Sequence, residues 1–213
     1  MISWIFWVIF SITLHELAHG WAAIWQGDDT PRRLGRMTAN PLVHMGPTSL
    51  IVFAIIGIAW GMMPVDPSRF RNGRRGRVYV SGAGPAMNVA LALACLVLLV
   101  IWMAVGPQGN EFYRNLTIFL WTGGWLNVLL ACLNMLPIPP LDGSSVLSGL
   151  SFKAWRFYQQ PNVQQYGFIA LVVILITPIG DAMFGICASI PFAGVEMVNA
   201  LLGSPSLCDV VYG

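Results

Sequence analysis

The residues best suited to chemistry lie in the first apolar stretch of the chain, where two histidines flank a glutamate in residues 15–19 (HELAH). Side chains four residues apart share one face of an α-helix, so His15 and His19 can bind one metal ion together. Glu16 then lies beside the metal, where its carboxylate can accept a proton from a water molecule. The H-E-x-x-H spacing therefore predicts zinc-dependent hydrolysis.

The elements that carry this motif are expected to lie in a membrane. Only 9% of the 213 residues are charged and 56% are hydrophobic, whereas a soluble domain typically has about 25% charged residues. This composition predicts an all-α polytopic membrane protein. We expect one integral-membrane domain over 1–213, with the catalytic core in about 1–150 and a C-terminal span and tail in 151–213. Four full transmembrane helices are predicted over about 2–26, 78–105, 116–136 and 163–184, and the apolar stretch 191–202 either spans the membrane, lies at its interface or packs on the other helices.

The apolar stretch 48–63 would be only about 24 Å long as a helix, whereas a bilayer core is about 30 Å thick. If this stretch enters the membrane and returns to the same side, all of the 11 basic residues except Arg114 lie on one side. Cytoplasmic loops are enriched in Lys and Arg. The charges thus favour a re-entrant segment, in which short β-strands are an alternative to helix, and an active site toward the cytoplasm.

A catalytic zinc ion usually has three protein ligands and one open position. Besides the two histidines of the motif, the chain has only His44, so a carboxylate is a candidate for the third ligand. The carboxylates in apolar surroundings are Asp142, Asp181 and Glu196. Asp142 is favoured because it follows the predicted span 116–136. On this topology it lies at a depth similar to that of the two histidines.

Four motifs in this order resemble those of one family. They are HELAH at 15–19, GRMTANPLVH at 35–44, SGAGPAMN at 81–88 and NMLPIPPLDG at 134–143. The chain resembles the site-2 protease-type intramembrane metalloproteases, peptidase family M50, and within them the small prokaryotic branch that lacks PDZ and CBS domains. It departs from that branch at 60–65 (WGMMPV), where relatives often carry a lysine before the proline.

The resemblance implies an intramembrane zinc endopeptidase in a prokaryotic cell membrane. One Zn²⁺ per chain would be held by His15, His19 and Asp142, with Glu16 as the general base. The expected partners are the lipid bilayer and single-span transmembrane substrates, without nucleic acid, and a regulatory membrane partner stays open. The alternatives are a catalytically idle binding or chaperone module, against which the intact Glu16 argues, and a zinc transporter.

Three further polar residues near these motifs each have two interpretations. Asn88 is either a polar contact between packed helices or a direct contact to the transition state. Asn134 either bonds backbone that is freed by Pro137 or contacts the substrate. His44 is either a loop histidine held by hydrogen bonds or a contact to the substrate or the active site.

Overall fold

The computed structural model describes residues 1–212. Helices make up 79% of the chain and no strand occurs in the described residues, which confirms the all-α prediction and leaves the short β-strands without support. The helices are α1 (Ile2–Trp25), α2 (Thr30–Arg33), α3 (Pro41–Ile56), α4 (Gly73–Val105), α5 (Glu111–Asn134), α6 (Asp142–Leu150), α7 (Phe152–Tyr158), α8 (Pro161–Ile176), α9 (Pro178–Leu202) and α10 (Leu207–Tyr212), and a 3₁₀ turn covers Pro67–Arg69.

Four of the described helices, α1, α4, α5 and α9, are long and apolar enough to cross a membrane. The first three overlap the predicted spans, but the predicted fourth span, 163–184, is wrong. The helix breaks at Thr177, whose backbone is extended (φ −105°, ψ 166°), and α9 begins at Pro178. Proline disfavours helical backbone in the preceding residue and is well tolerated at the first helical position. The stretch 191–202 is therefore the second half of α9.

Helix α4 packs against α1, α5, α6 and α9. Its N-terminal end lies beside the C-terminal end of α1, because the Arg71 N–H donates to the Gln26 carbonyl (2.6 Å). Its C-terminal end lies beside the end of α9, where the Asn199 amide donates to the sulfur of Met103 (3.4 Å). The second half of α1 thus runs along the first half of α4, and the motif residues are held between them.

A return segment (57–66) follows α3 and runs back along it. The Met62 N–H donates to the His44 carbonyl (3.1 Å), and the Ser49 hydroxyl bonds both backbone groups of Trp60 (2.7 and 2.9 Å). These contacts bring the chain back to the level at which α3 begins.

The connections that leave α1 and enter α4 lie at the same end of the bundle. The Asp66 N–H donates to the Asp28 carboxylate (2.7 Å), close to the contact between Arg71 and Gln26. These contacts hold the end of α1 and the start of α4 side by side.

Candidate active site

The three predicted metal ligands converge between α1, α4 and the start of α6. His15 and His19 lie one turn apart on the buried face of α1, and Asp142 is the first residue of α6. The two Nε2 atoms are 3.0 Å apart, and Asp142 Oδ2 lies 3.1 Å from Nε2 of His15 and 3.3 Å from Nε2 of His19. Tetrahedral zinc with bonds of about 2.0–2.1 Å separates its ligand atoms by about 3.3 Å. The spacing therefore suits such an ion.

The hydrogen-bond partner of Nδ1, on the side of each imidazole ring that faces away from Asp142, determines which tautomer the neutral ring adopts. Nδ1 of His19 is 2.7 Å from the Val80 carbonyl oxygen. A carbonyl can only accept, so the Nδ1–H of His19 donates, and in the neutral ring the lone pair then lies on Nε2. Hydrogen bonds of this kind orient the rings of metal-binding histidines.

His15 is oriented by a relay of two asparagines that ends on a backbone carbonyl. Asn127 Nδ2 donates to the Gly123 carbonyl (2.9 Å), so Asn127 Oδ1 faces Asn88 and accepts from its Nδ2 (2.9 Å). Asn88 then turns its Oδ1 toward Nδ1 of His15 (2.6 Å), and the Nδ1–H of His15 donates. Both asparagines are fully buried. The relay leaves the lone pair of His15 on Nε2, as the Val80 carbonyl does for His19.

When both rings are neutral, the two Nε2 lone pairs therefore face Asp142 Oδ2. Asp142 Oδ2 is buried and has no hydrogen-bond partner within the described part of the chain. Buried lone pairs that lack donors are costly, and a cation between them removes that cost. Two imidazole nitrogens and one carboxylate oxygen form a donor set that zinc takes in catalytic sites. The residues present thus fit a zinc ion.

Helix α4 approaches the cluster at Gly84. A Cβ atom built at this position would lie 2.5 Å from Nε2 of His15 and would also collide with Nε2 of His19. At Gly82, on the same helix, no described atom outside the helix lies within 4 Å of an added Cβ. Gly84 therefore keeps the space between the two ligand atoms open, whereas Gly82 has no such role.

Glu16 follows His15 in α1 and is 7% exposed. The return segment covers it, since a Cβ atom built at Gly61 would lie 2.6 Å from Cγ and 2.7 Å from Oε1 of Glu16. Backbone at Gly61 thus packs directly on the Glu16 carboxyl group. A residue with a side chain at position 61 would displace either the segment or the carboxylate.

The sequence also offers Asn88, His44 and Asn134 as contacts to the substrate or the active site. Asn88 contacts His15, as described above. The Nε2–H of His44 donates to the Thr38 carbonyl (2.6 Å), and this ring is 2% exposed and lies outside the ligand cluster. Asn134 donates to the Leu130 carbonyl one turn earlier in α5 (2.9 Å).

The two alternative third ligands lie elsewhere. Asp181 is exposed in the first turn of α9. Glu196 Oε1 accepts from the Leu207 N–H (2.7 Å) and from the Ser206 hydroxyl (3.1 Å), at the start of α10. Of the three candidate carboxylates, only Asp142 lies beside the histidines.

Sequence reasoning missed Asn127 and Gly61. Asn127 had a usable signal, because a polar residue inside an apolar span is costly and is functional by default. Gly61 had none, since its contact with Glu16 exists only once the return segment lies over α1.

Fold and site together define a class: a polytopic membrane protein in which two histidines and a carboxylate that could hold a metal ion lie beside a buried glutamate. The model of peptidase family M50 matches residues 100–178, which include Asp142.

Three relatives carry the name "Putative zinc metalloprotease". YwhC of Bacillus subtilis is 37% identical over 82% of this chain and 80% of its own length. Rip2 of Mycolicibacterium smegmatis is 32% identical over 80% of this chain and 65% of its own length. MJ0611 of Methanocaldococcus jannaschii is 34% identical over 53% of each chain. No solved structure matches significantly. The chain belongs to peptidase family M50, which confirms the resemblance.

Proposed function

We propose that the protein is an intramembrane zinc endopeptidase that hydrolyses peptide bonds of transmembrane substrates. Family membership and the names of the relatives support the coarser assignment, a zinc metalloprotease. The finer assignment rests on one observation. Two imidazole nitrogens and one carboxylate oxygen, which could together hold a metal ion, converge next to Glu16, between helices that are apolar enough to span a membrane.

In this proposal His15, His19 and Asp142 hold the ion. A zinc ion held there would supply Lewis acidity. Glu16 would accept a proton from the attacking water and would later deliver it to the amine that leaves when the peptide C–N bond breaks. The backbone at Gly61 restricts the rotamers of Glu16, and the return segment shields its carboxylate from the bilayer.

The membrane setting is also part of the proposal. The segment 48–63 enters and leaves on the same side, and the site faces the cytoplasm of a prokaryotic cell. Two observations support this: the connections around Asp28 and Asp66 touch each other, and the basic residues concentrate at that end. The substrates are single-span membrane proteins, which must unwind locally because a helix hides its carbonyl groups in hydrogen bonds.

Replacing Glu16 with glutamine tests the proposed chemistry. The amide cannot accept a proton, so we expect cleavage of a single-span substrate in liposomes to fall by about 10²- to 10⁴-fold. Zinc content should stay at the wild-type level, because Glu16 is not a ligand. Cleavage at the wild-type rate would refute the mechanism. If the wild type cleaves no substrate and Glu16→Gln abolishes zinc transport across the liposome membrane, the protein would be a zinc transporter instead.

Replacing Asn127 with leucine is expected to weaken zinc binding by about 10- to 100-fold, the usual cost of a lost supporting hydrogen bond. Asn88 would lose its partner and His15 its fixed orientation. Asn199 is the matched control, because it is also a fully buried asparagine but lies beside Met103. Chelator competition measures the affinity of both leucine variants. Equal affinities would show that the relay does not act on the metal site.

A further inference from the structure

A second polar site lies beside α6, and its lining does not include His15, His19 or Asp142. A cavity of about 450 Å³ opens there between the start of α4, α6 and the connection from α7 to α8. Its polar lining includes Arg77, Ser145 and Gln159, and Pro140 and Phe168 form apolar parts of its wall. None of the lining residues is a carboxylate, so the only formal charge in the cavity is positive.

Arg77 has no ionic partner among residues 1–212. The side chain is half-buried, and no carboxylate in residues 1–212 lies within 4.0 Å of its guanidinium group, unlike those of Arg32 and Arg69. A guanidinium group carries five N–H donors and binds phosphate and carboxylate groups well. A partly desolvated cation without a counter-charge favours an anionic ligand.

The surroundings of the cavity are basic. No aspartate or glutamate occurs in 67–110 or in 143–180. Arg74 and Arg156 lie over the ring of Phe152, at 5.9 and 5.1 Å from its centre. Apart from Asp142 at the start of α6 and Asp66 before α4, the segments around the cavity therefore carry positive charge and no acidic residue.

The cavity also lies at a depth where phosphate groups occur. Helix α4 has 33 residues and is about 50 Å long, at about 1.5 Å per residue, whereas the hydrocarbon core is about 30 Å thick. Its arginine-rich first turns must therefore extend into the headgroup region. Basic pockets between membrane helices on the cytoplasmic side are suited to anionic lipid headgroups.

We propose that this cavity binds the phosphate group of an anionic phospholipid. Arg77 supplies the charge, Ser145 and Gln159 supply neutral hydrogen bonds, and Phe168 contacts the apolar part of the lipid. Ser145 lies one turn after Asp142 on α6, so a bound lipid braces the helix that carries the third ligand of the site. The proposal does not depend on peptidase activity.

The test is a titration of the purified full-length protein in detergent, with binding measured by native mass spectrometry. The probes are short-chain phosphatidylglycerol, short-chain phosphatidylcholine and inorganic phosphate. We expect phosphatidylglycerol to bind best, and Arg77→Gln to weaken it by about tenfold, as for a lost charge-assisted hydrogen bond. Arg75→Gln is the matched control, since Arg75 is exposed on the same helix and does not line the cavity.

A second variant keeps the test decisive if Arg77→Gln does not fold. Ser145→Asp places a negative charge in the cavity and should also weaken phosphatidylglycerol binding, by more than it weakens the binding of the net-neutral phosphatidylcholine. Equal losses in Arg75→Gln and Arg77→Gln would overturn the site. Tighter binding of inorganic phosphate than of phosphatidylglycerol would refute the proposal that the ligand is a lipid and would assign the site to free phosphate.

Discussion

Replacing Gly84 with alanine is expected to abolish zinc binding, whereas the same replacement at Gly82 should leave it unchanged. The added methyl group at position 84 would lie 2.5 Å from Nε2 of His15 and against Nε2 of His19. It would occupy the space that a shared ion needs. We expect the zinc affinity to fall by more than about 100-fold, beyond the effect of a lost supporting hydrogen bond.

Gly82 is a close control for this experiment. Both glycines lie in α4, two residues apart, and alanine is the better helix former at each position. Gly82→Ala should therefore fold at least as well as the wild type, since its added Cβ meets no neighbouring atom within 4 Å in the part of the chain that the structure describes. Zinc content by mass spectrometry and the thermal unfolding midpoint separate the two effects. Normal zinc content in a folded Gly84→Ala protein would contradict the geometry of the site.

The contrast between Gly82 and Gly84 shows where sequence reasoning ends. The sequence marks both as small residues in a packed helix, because small residues let membrane helices approach closely. It cannot tell which glycine meets the ligands. That depends on how α4 rotates about its axis against α1, which is set by contacts such as those of Val80 with His19 and of Asn88 with His15.

Asp142 shows the opposite case. Its place at the end of an apolar run, together with the distribution of arginines, predicts from the sequence alone that it lies at the depth of the histidines. Charge and hydropathy act over whole segments, so they predict depth well. They fail where a single residue decides, as at Thr177 and Pro178, where an apolar run continues but the helix does not.

Replacing Asp142 with asparagine is expected to remove zinc and cleavage together. Asparagine has the same shape, but it lacks the charge that balances the ion. It would also place either a neutral carbonyl or an N–H group toward the two Nε2 atoms. We expect the zinc affinity to fall by more than about 100-fold, again beyond the cost of a lost supporting hydrogen bond.

The control for Asp142→Asn is Asp181→Asn, which neutralises an exposed carboxylate that the sequence also offered as the third ligand. A ligand that binds only the folded state raises the unfolding midpoint. A chelator should therefore lower the midpoint of the wild type and of Asp181→Asn, and leave that of Asp142→Asn unchanged. If Asp142→Asn retained zinc and Asp181→Asn lost it, the third ligand would be Asp181 in α9. Such a result would require α9, and not α6, to lie beside the histidines. The packing of α6 against α4 argues against that arrangement.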